Sequence, residues 1–354
     1  FKNMLELNNI SYKEKGLKNL FNILSAKNYS SVFVLVDTNT KEKCLNRFVR
    51  ISKIVNATVL TMAAGEENKN LITCEALWNE LSLFGADRDS ALINLGGGVV
   101  TDLGAFVACT FKRGIDFYNI PTTLLSMVDA SVGGKTGIDL GSLKNQIGTI
   151  QEPQEVIIDS EWLSTLPSKE IRSGFAEMLK HGLIASPDYW NSLKIIKKLT
   201  PPILTDYIKT SIKLKSEVVI LDPNEKGLRK VLNFGHTLGH AIESYFLASP
   251  NKKRLLHGEA IAIGMVLEAY LSVHCSGLEI DEANDIKTTF SNHYGIVKIS
   301  AIEQNEIIAL LRHDKKNKAG RINFSLLKSI GIPKIDVEVP QEYFSKAFQY
   351  YSNT

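Results

Sequence analysis

A chain of 354 residues is longer than one hydrophobic core usually organises, so two domains are expected. Its composition, 44% hydrophobic and 22% charged, allows a large buried core and excludes disorder as the default state. A net charge of +3 is too small for a nucleic-acid binder, so no nucleic-acid partner is expected and any basic site must be a local cluster.

The opening "FKNMLELNNI" lacks a basic segment followed by an apolar core, which predicts no signal peptide, and Phe1 in first place points to a trimmed or tagged chain. "SSVFVLVDTNT" (30–40) reads as a buried strand running into a loop, and "IVNATVLTM" as a second strand. "LITCEALWNELSLFG" spaces Leu71, Ala76, Leu77, Leu81 and Phe84 for an amphipathic helix that Gly85 stops. "SALINL" is a third strand, followed at once by "GGGVVTDLGAFVACTF". Strands alternating with helices predict a parallel sheet covered on both faces. "DFYNIPTTLLSMVDASVGGKTGIDL" continues with a strand and a glycine-rich segment.

After residue 160 the pattern changes to helix, in "SKEIRSGFAEMLKHGLIA", "LTDYIKTSIKLKSEVVI", "FGHTLGHAIESYF" and "HGEAIAIGMVLEAYLSVHC", with breaks at Ser186–Pro187 and Pro201–Pro202. The reading is an α/β nucleotide domain over 1–160 and an all-helical domain over 161–354. Few long polar linkers separate them, so they are expected to pack closely around a cleft. No internal repeat and no low-complexity segment is present. Cys44, Cys74, Cys109 and Cys275 stand far apart and form no C-x-x-C pair, which argues against a disulfide framework and suits a reducing cytoplasm. No run of about 18 apolar residues occurs, so no membrane span is expected.

Three stretches carry chemistry. Gly96, Gly97 and Gly98 follow a strand and open a helix, which lets backbone approach a pyrophosphate at a helix N-terminus. A tight strand-to-helix turn explains the triplet equally well, since the spaced dinucleotide fingerprint is absent. Asp37 and Asn39 at an earlier strand end could bind a ribose or nicotinamide hydroxyl, and Glu66 and Lys69 in "GEENK" an adenosine ribose, while each taken alone reads better as a solvated loop residue. "VDASVGGKTGIDLGSLKNQIG" sets Asp129, Lys135, Lys144 and Asn145 among glycines and suits a phosphate or carboxylate, with a flexible surface loop as the competing reading. "GGKT" is not a phosphate-binding P-loop, because position 129 is Asp where that motif needs Gly.

The third stretch is helical and rich in metal donors: Glu177, His181, His236, His240, Glu243, His257 and Glu259. Glu177 with His181, and His236 with His240, are i, i+4 pairs on single helix faces. Any one such histidine is best read as a hydrogen-bonded core residue, but several in one domain favour a metal. An open catalytic zinc site takes three N/O ligands. Spacing alone does not say which three.

In order, "NLGGGVVTDLGAFVACTFKRG", "IPTTLLSMVDASVGGKTGIDL", "LKNQIG", "GFAEMLKHG", "GLRKVLNFGHTLGHAIE", "LHGEAIAIGM" and "DKKNKAG" resemble the motifs of the 3-dehydroquinate synthases. The resemblance runs from about residue 30 to about residue 335. It implies an α/β Rossmann-like N-terminal domain, a helical C-terminal domain and an active site in the cleft between them. It implies Glu177, His236 and His257 as ligands of zinc or cobalt and assigns Glu243 no part, which leaves a supporting contact behind a ligand as the reading for that residue. It gives catalytic parts to His240, Lys144, Asn145, Arg113 and Asp129. Substrate contacts fall on Lys135, Lys180, Lys215, Arg229 and Asn233, with Lys315 and Lys316 from "DKK". Cofactor contacts, to NAD, fall on Asp37, Asn39, Glu66, Lys69, Gly97, Gly98, Asp102, Thr122, Thr123 and Thr165. The chain departs from the family at Thr101 and Leu143, where glycine is usual.

The implied activity turns 3-deoxy-D-arabino-heptulosonate 7-phosphate into 3-dehydroquinate and phosphate, on the shikimate route to aromatic amino acids. It proceeds by transient oxidation by NAD, phosphate elimination, reduction and intramolecular aldol closure, in a cytoplasmic homodimer. Related cyclases of non-acidic sugar phosphates, a metal-dependent alcohol dehydrogenase and a silent NAD-binding protein are the competing readings. The retained lysines and Arg229 favour an acidic substrate.

Overall fold

A computed structural model describes residues 9–141, 143–249, 251–311 and 322–353. Among these, contacts divide the chain into two units. One holds the residues up to Ile171 together with Thr200–Ser216; the other holds Arg172–Leu199 and the residues from Glu217 onward. The sequence reading placed one boundary at residue 160. The contacts place it inside a helix and return a later segment to the first unit.

In the first unit the chain runs β1 (Ile10–Tyr12), α1 (Lys13–Lys27), β2 (Val32–Asp37), α2 (Thr38–Lys43), α3 (Leu45–Ser52) and β3 (Thr58–Met62). It continues through α4 (Leu71–Leu83), β4 (Ala91–Gly96), α5 (Gly98–Thr110), β5 (Asp116–Pro121), β6 (Lys135–Leu140), β7 (Leu143–Ile150) and β8 (Glu155–Ile158). Six strands form one parallel sheet in the order β1-β8-β5-β4-β2-β3. "ALINLG" of β4 is buried along its whole length, as a strand covered on both faces must be. Its one polar side chain, Asn94, donates from Nδ2 to Asn119 Oδ1 (2.9 Å) at the matching register of β5, so the buried amide donor is paired.

The order places a switch point between β2 and β4. The chain leaves β2 toward β3 on one side and leaves β4 toward β5 on the other. Parallel sheets of this kind take their ligands at such a switch point, beside the carboxyl ends of the strands. In α4 the buried face is Cys74, Leu77 and Leu81. Leu71 and Phe84 are 54% and 53% exposed, which corrects the stripe read from sequence. Gly85, at φ +75°, does stop the helix. The glycine-rich segment is ordered as an antiparallel hairpin of β6 and β7, with Lys135 opposite Ile150.

The second unit is mostly helical. α6 (Ser168–Ala185) and α8 (Pro201–Leu221) each pass from one unit's residues to the other's, with α7 (Pro187–Leu193) between them. α9 (His236–Ala248), α10 (His257–Cys275), α11 (Ile280–Tyr294), α12 (Ala301–Leu310) and α13 (Glu342–Ser352) follow. The expected all-helical domain also contains a hairpin, β9 (Asn323–Ser329) with β10 (Ile332–Glu338). α10 is long and apolar enough to cross a bilayer, but 72% of its apolar window is buried inside the protein. The four cysteines are all free thiols.

Candidate active site

In the first unit the cofactor candidates fall on successive carboxyl-end loops. Asp37 closes β2 and caps α2, its Oδ1 accepting from Thr40 N (2.7 Å) and Thr40 Oγ1 (3.0 Å). Asn39 lies exposed in the first turn of α2. Glu66 and Lys69 follow β3, Gly97 and Gly98 follow β4, Thr122 and Thr123 follow β5, and Thr165 follows β8. At Gly97 a Cβ would lie 2.9 Å from Thr123 Cγ2, so glycine keeps the turn low over its neighbour. Thr122 N donates to Gly96 O (2.9 Å) and ties the two loops together. Thr101, the departure from family pattern, is buried and sets its hydroxyl 3.3 Å from the carbonyls of both Gly97 and Gly98. Thr165 Oγ1 instead donates to Trp162 O (2.8 Å).

Lys69 joins cofactor and substrate candidates. It is 3% exposed, and its Nζ donates to Asp102 Oδ2 (2.6 Å) and Asn145 Oδ1 (2.7 Å). Burial opposes the Lys69 charge, but Asp102 and Glu66 outweigh it and raise the pKa. Lys144 lies 3.4 Å from Glu66 Oε1. Asp139, absent from the sequence candidates, organises this cluster. Its backbone N donates to Lys69 O (2.8 Å), and its Oδ1 accepts from Asn145 N (2.7 Å), with Asn145 in the left-handed region at φ +52°. Nothing in the motif distinguished this aspartate from a solvated turn residue.

Asp129 receives the Lys215 ammonium on both Oδ1 and its own carbonyl, each at 2.5 Å. Lys135 stands exposed at the start of β6. Arg113 is not brought to these loops. It lies exposed between α5 and β5, at the amino end of the sheet, within a run of positive φ at Lys112, Arg113 and Gly114.

In the second unit, helix packing builds the metal centre. Gly258 N donates to Ser173 Oγ (2.9 Å), and a Cβ at Gly258 would fall 1.9 Å from Ser173 O. The start of α10 is thus pressed against α6, which sets His257 beside Glu177. Glu177 Oε1 lies 3.5 Å from His236 Nε2 and 3.6 Å from His257 Nε2. One ligand atom from each of the three lies within 4.8 Å of the others. Each imidazole is oriented from behind. His236 Nδ1 donates to Phe234 O (3.1 Å), and His257 Nδ1 pairs with Glu243 Oε2 (3.2 Å), which leaves Nε2 on the Glu177 side in both. Burial opposes a charged His257, yet Glu243 and then Glu177 outweigh it and hold its pKa up to about 10. One carboxylate and two imidazoles converging on one point are a donor set that fits a divalent cation.

His240 joins the ring cluster, 5.1 Å from His236 and 5.9 Å from His257 between centroids. With Glu243 and His257 it forms a second group of potential donors. Lys180 is 1% exposed and ion-paired to Glu177, one turn away on α6. His181 is equally buried. Arg229, 2% exposed, has Nη1 held by Pro223 O (2.7 Å), while Asn233 Nδ2 donates to Glu225 Oε1 (2.7 Å). Asp222 secures this loop by accepting from the backbone N of Lys226, Gly227 and Arg229, which lowers its pKa. Sequence reading passed over Asp222, Glu225 and Glu268. Glu268 had a signal, a lone carboxylate inside the apolar run "AIAIGMVLEAYL". Lys315 and Lys316 lie outside the described residues.

The chain matches the model of the 3-dehydroquinate synthase N-terminal domain over residues 59–173 and that of the C-terminal domain over 174–317. It is 42% identical over 340 residues to a 3-dehydroquinate synthase of Parabacteroides distasonis, covering 95% of this chain and 96% of that one. It is 38% identical over 333 residues to one from Acidithiobacillus ferrooxidans, covering 90% and 88%. Among solved structures it resembles the 2-epi-5-epi-valiolone synthase of Streptomyces hygroscopicus, with NAD+ and Zn2+ bound (TM-score 0.84, 23% identity, 99% of each chain). It also resembles a 2-deoxy-scyllo-inosose synthase complexed with carbaglucose-6-phosphate, NAD+ and Co2+ (TM-score 0.82, 24% identity, 98% of this chain and 96% of that one). An iron-containing alcohol dehydrogenase of Thermococcus thioreducens has the fold at a TM-score of 0.67 and 17% identity, over 98% of each chain. The cyclase and dehydrogenase structures agree in fold, and sequence identity over nearly the whole length decides between them: the chain belongs to the 3-dehydroquinate synthase family.

Proposed function

We propose that the chain converts 3-deoxy-D-arabino-heptulosonate 7-phosphate into 3-dehydroquinate and inorganic phosphate. The observation that carries this reading is the meeting of Glu177, His236 and His257 beside the buried cation Lys180, in a chain 42% identical to a 3-dehydroquinate synthase. Those three side chains would hold a zinc or cobalt ion, which supplies Lewis acidity and a template for adjacent substrate oxygens. The carboxyl-end crevice of β2, β3, β4 and β5 would hold NAD, which supplies a hydride acceptor and donor. The NAD+ and metal bound in the two cyclase structures support both assignments.

The remaining work falls to fixed cations and proton carriers. The substrate bears a carboxylate and a phosphate. Arg229 and Lys180 are already desolvated and held, so binding an anion costs them little reorganisation. Lys144 and Lys215, each beside a carboxylate, are further anion contacts. His240 takes and returns a proton at its ring nitrogen, next to the metal-binding imidazoles.

Substrate and products balance atom for atom, so NAD is needed but not consumed. Trace NAD should support many phosphates released per cofactor, with no net rise in absorbance at 340 nm. Stoichiometric accumulation of NADH instead identifies a dehydrogenase.

A homodimer belongs to the same proposal. α5 begins at the carboxyl end of β4 and runs back along the sheet for 13 residues, about 20 Å, before Arg113. If Arg113 serves the reaction it must do so in a second copy of the chain. The left-handed backbone it shares with Lys112 is the kind of strain found at functional positions.

A further inference from the structure

We propose that Glu268 is a positioning residue of the metal centre: it clamps the first turn of α9 from inside the protein and so fixes the ring of His236 for ligation. The inference rests on Glu177, His236 and His257 being the metal ligands.

The first amides of a helix need acceptors, normally supplied by a Ser, Thr, Asn or Asp at the N-cap. The N-cap of α9 is Gly235, which has no side chain to offer. It has to be glycine. Its φ is +78°, and a Cβ there would lie 2.2 Å from Met265 Cγ. The cap comes from α10 instead. Glu268 Oε2 accepts from Gly235 N (2.7 Å) and Glu268 Oε1 accepts from Leu238 N (3.0 Å). This carboxylate is 0% exposed, and Leu238 is fully buried. A buried carboxylate is a costly way to cap a helix, because its charge is removed from water.

The location supplies the reason. His236 lies between the two clamped amides, and its Nδ1 is tied to Phe234 O (3.1 Å). With backbone fixed on both sides, Nε2 has one direction, toward Glu177 Oε1 at 3.5 Å. Ligand distances in a metal site hold to about 0.2 Å, so a small rotation of α9 would spoil ligation.

The test uses full-length protein stripped of metal and titrated with zinc against a chromophoric chelator. Glu268→Gln keeps the shape but turns one acceptor into a donor facing a backbone N–H. Zinc should bind about 10- to 100-fold more weakly. The visible spectrum of the cobalt-loaded variant should shift, with the far-ultraviolet circular dichroism unchanged. Ser300→Ala removes a cap from α12, where Ser300 Oγ accepts from Glu303 N, and should lower the Tm with zinc affinity intact.

Equal zinc affinity and an unchanged cobalt spectrum in Glu268→Gln overturn the proposal. So does an equal loss in Ser300→Ala, which would mean general loosening. A wild-type chain that takes up no zinc removes the ligand reading and the proposal with it. If Glu268→Gln does not fold, hydrogen exchange on the wild type decides. Zinc should slow exchange of the Gly235 and Leu238 amides, since clamp and ligand are coupled reciprocally. Equal rates with and without zinc overturn the proposal.

Discussion

His236 and His257 each commit Nδ1 to an acceptor and turn Nε2 toward Glu177, whereas His240 meets both of those rings and carries the proton-transfer part of the proposal. That division separates their variants. Glu177→Gln and His236→Ala should lose metal and activity together. His240→Ala should keep its metal while kcat falls on the order of 10²- to 10⁴-fold, the usual loss for a proton carrier. His181→Ala should keep both. Elemental analysis beside circular dichroism reads all four, and a His240→Ala protein without metal would show that the second donor group is the true site. A second residue-scale prediction concerns acid. The Lys252 ammonium, and then the Ser300 amide, hold the Glu303 carboxyl down to about 2 from its ordinary 4.5. A depressed carboxylate contributes stability that is complete above 4.5 and lost as pH falls toward 2. Glu303→Gln should therefore flatten the fall of Tm with pH across that window, and parallel curves would remove Glu303 as a source of acid sensitivity. The i, i+4 spacing marked Glu177, His181, His236 and His240 as donor candidates because it shows two side chains sharing a face, but it did not choose among them; the choice of Glu177, His236 and His257 came from the resemblance. Glu268 and Asp139 were not legible, because each acts on backbone amides of another element, and no local spacing encodes that.

α10 shows what one element must satisfy at once. It carries His257 at its start, Glu268 in its middle and a buried apolar body between them. Gly258→Ala would place a Cβ 1.9 Å from Ser173 O, so the helix must move away from α6. Overpacking of this kind costs about 1–3 kcal/mol. The larger effect should be on metal, since the displacement carries His257 off Glu177. Zinc uptake that matches wild type would show that α10 absorbs the shift elsewhere. At this scale the parallel strands were readable, because strands buried on both faces appear as near-continuous apolar runs such as "VFVLV" and "ALINL". The β6–β7 hairpin was not. Glycines interrupt its pattern and β7 is largely exposed, so periodicity gave no strand signal. The β9–β10 hairpin was missed within a stretch read as helical. In α4 the apolar residues outnumber the buried ones, and only Cys74, Leu77 and Leu81 meet the sheet side. Composition alone could not choose the stripe.

The whole molecule raises the question of how many copies complete one site. If Arg113 acts in a partner, Arg113→Ala and His236→Ala chains are each inactive alone yet complementary in a mixed dimer. Each such dimer has one site with both an intact metal centre and a supplied arginine. Random exchange of equal amounts should recover about a quarter of wild-type activity. No recovery after verified exchange would show that Arg113 acts within its own chain and not in a partner's site. The path of the chain has a different consequence. The first unit regains Thr200–Ser216 only after residues of the second unit have been made. That late segment brings the buried Leu204, Ile208 and Ile212, and Ser160 Oγ meets Thr205 Oγ1 across it at 2.8 Å. β1 likewise waits for β8, its parallel partner. An emerging chain therefore cannot finish its amino-terminal half first and then start the rest, the common order for two-domain proteins on the ribosome. A fragment ended after Ile171 should show strand content without a cooperative urea transition or a structured near-ultraviolet spectrum. If that fragment unfolds as sharply as the full chain, α8 is an ornament of the first unit rather than its last structural member. Otherwise the two halves of this enzyme mature together, and a nascent chain has no folded half to protect it until the turn beyond residue 216 has left the exit tunnel.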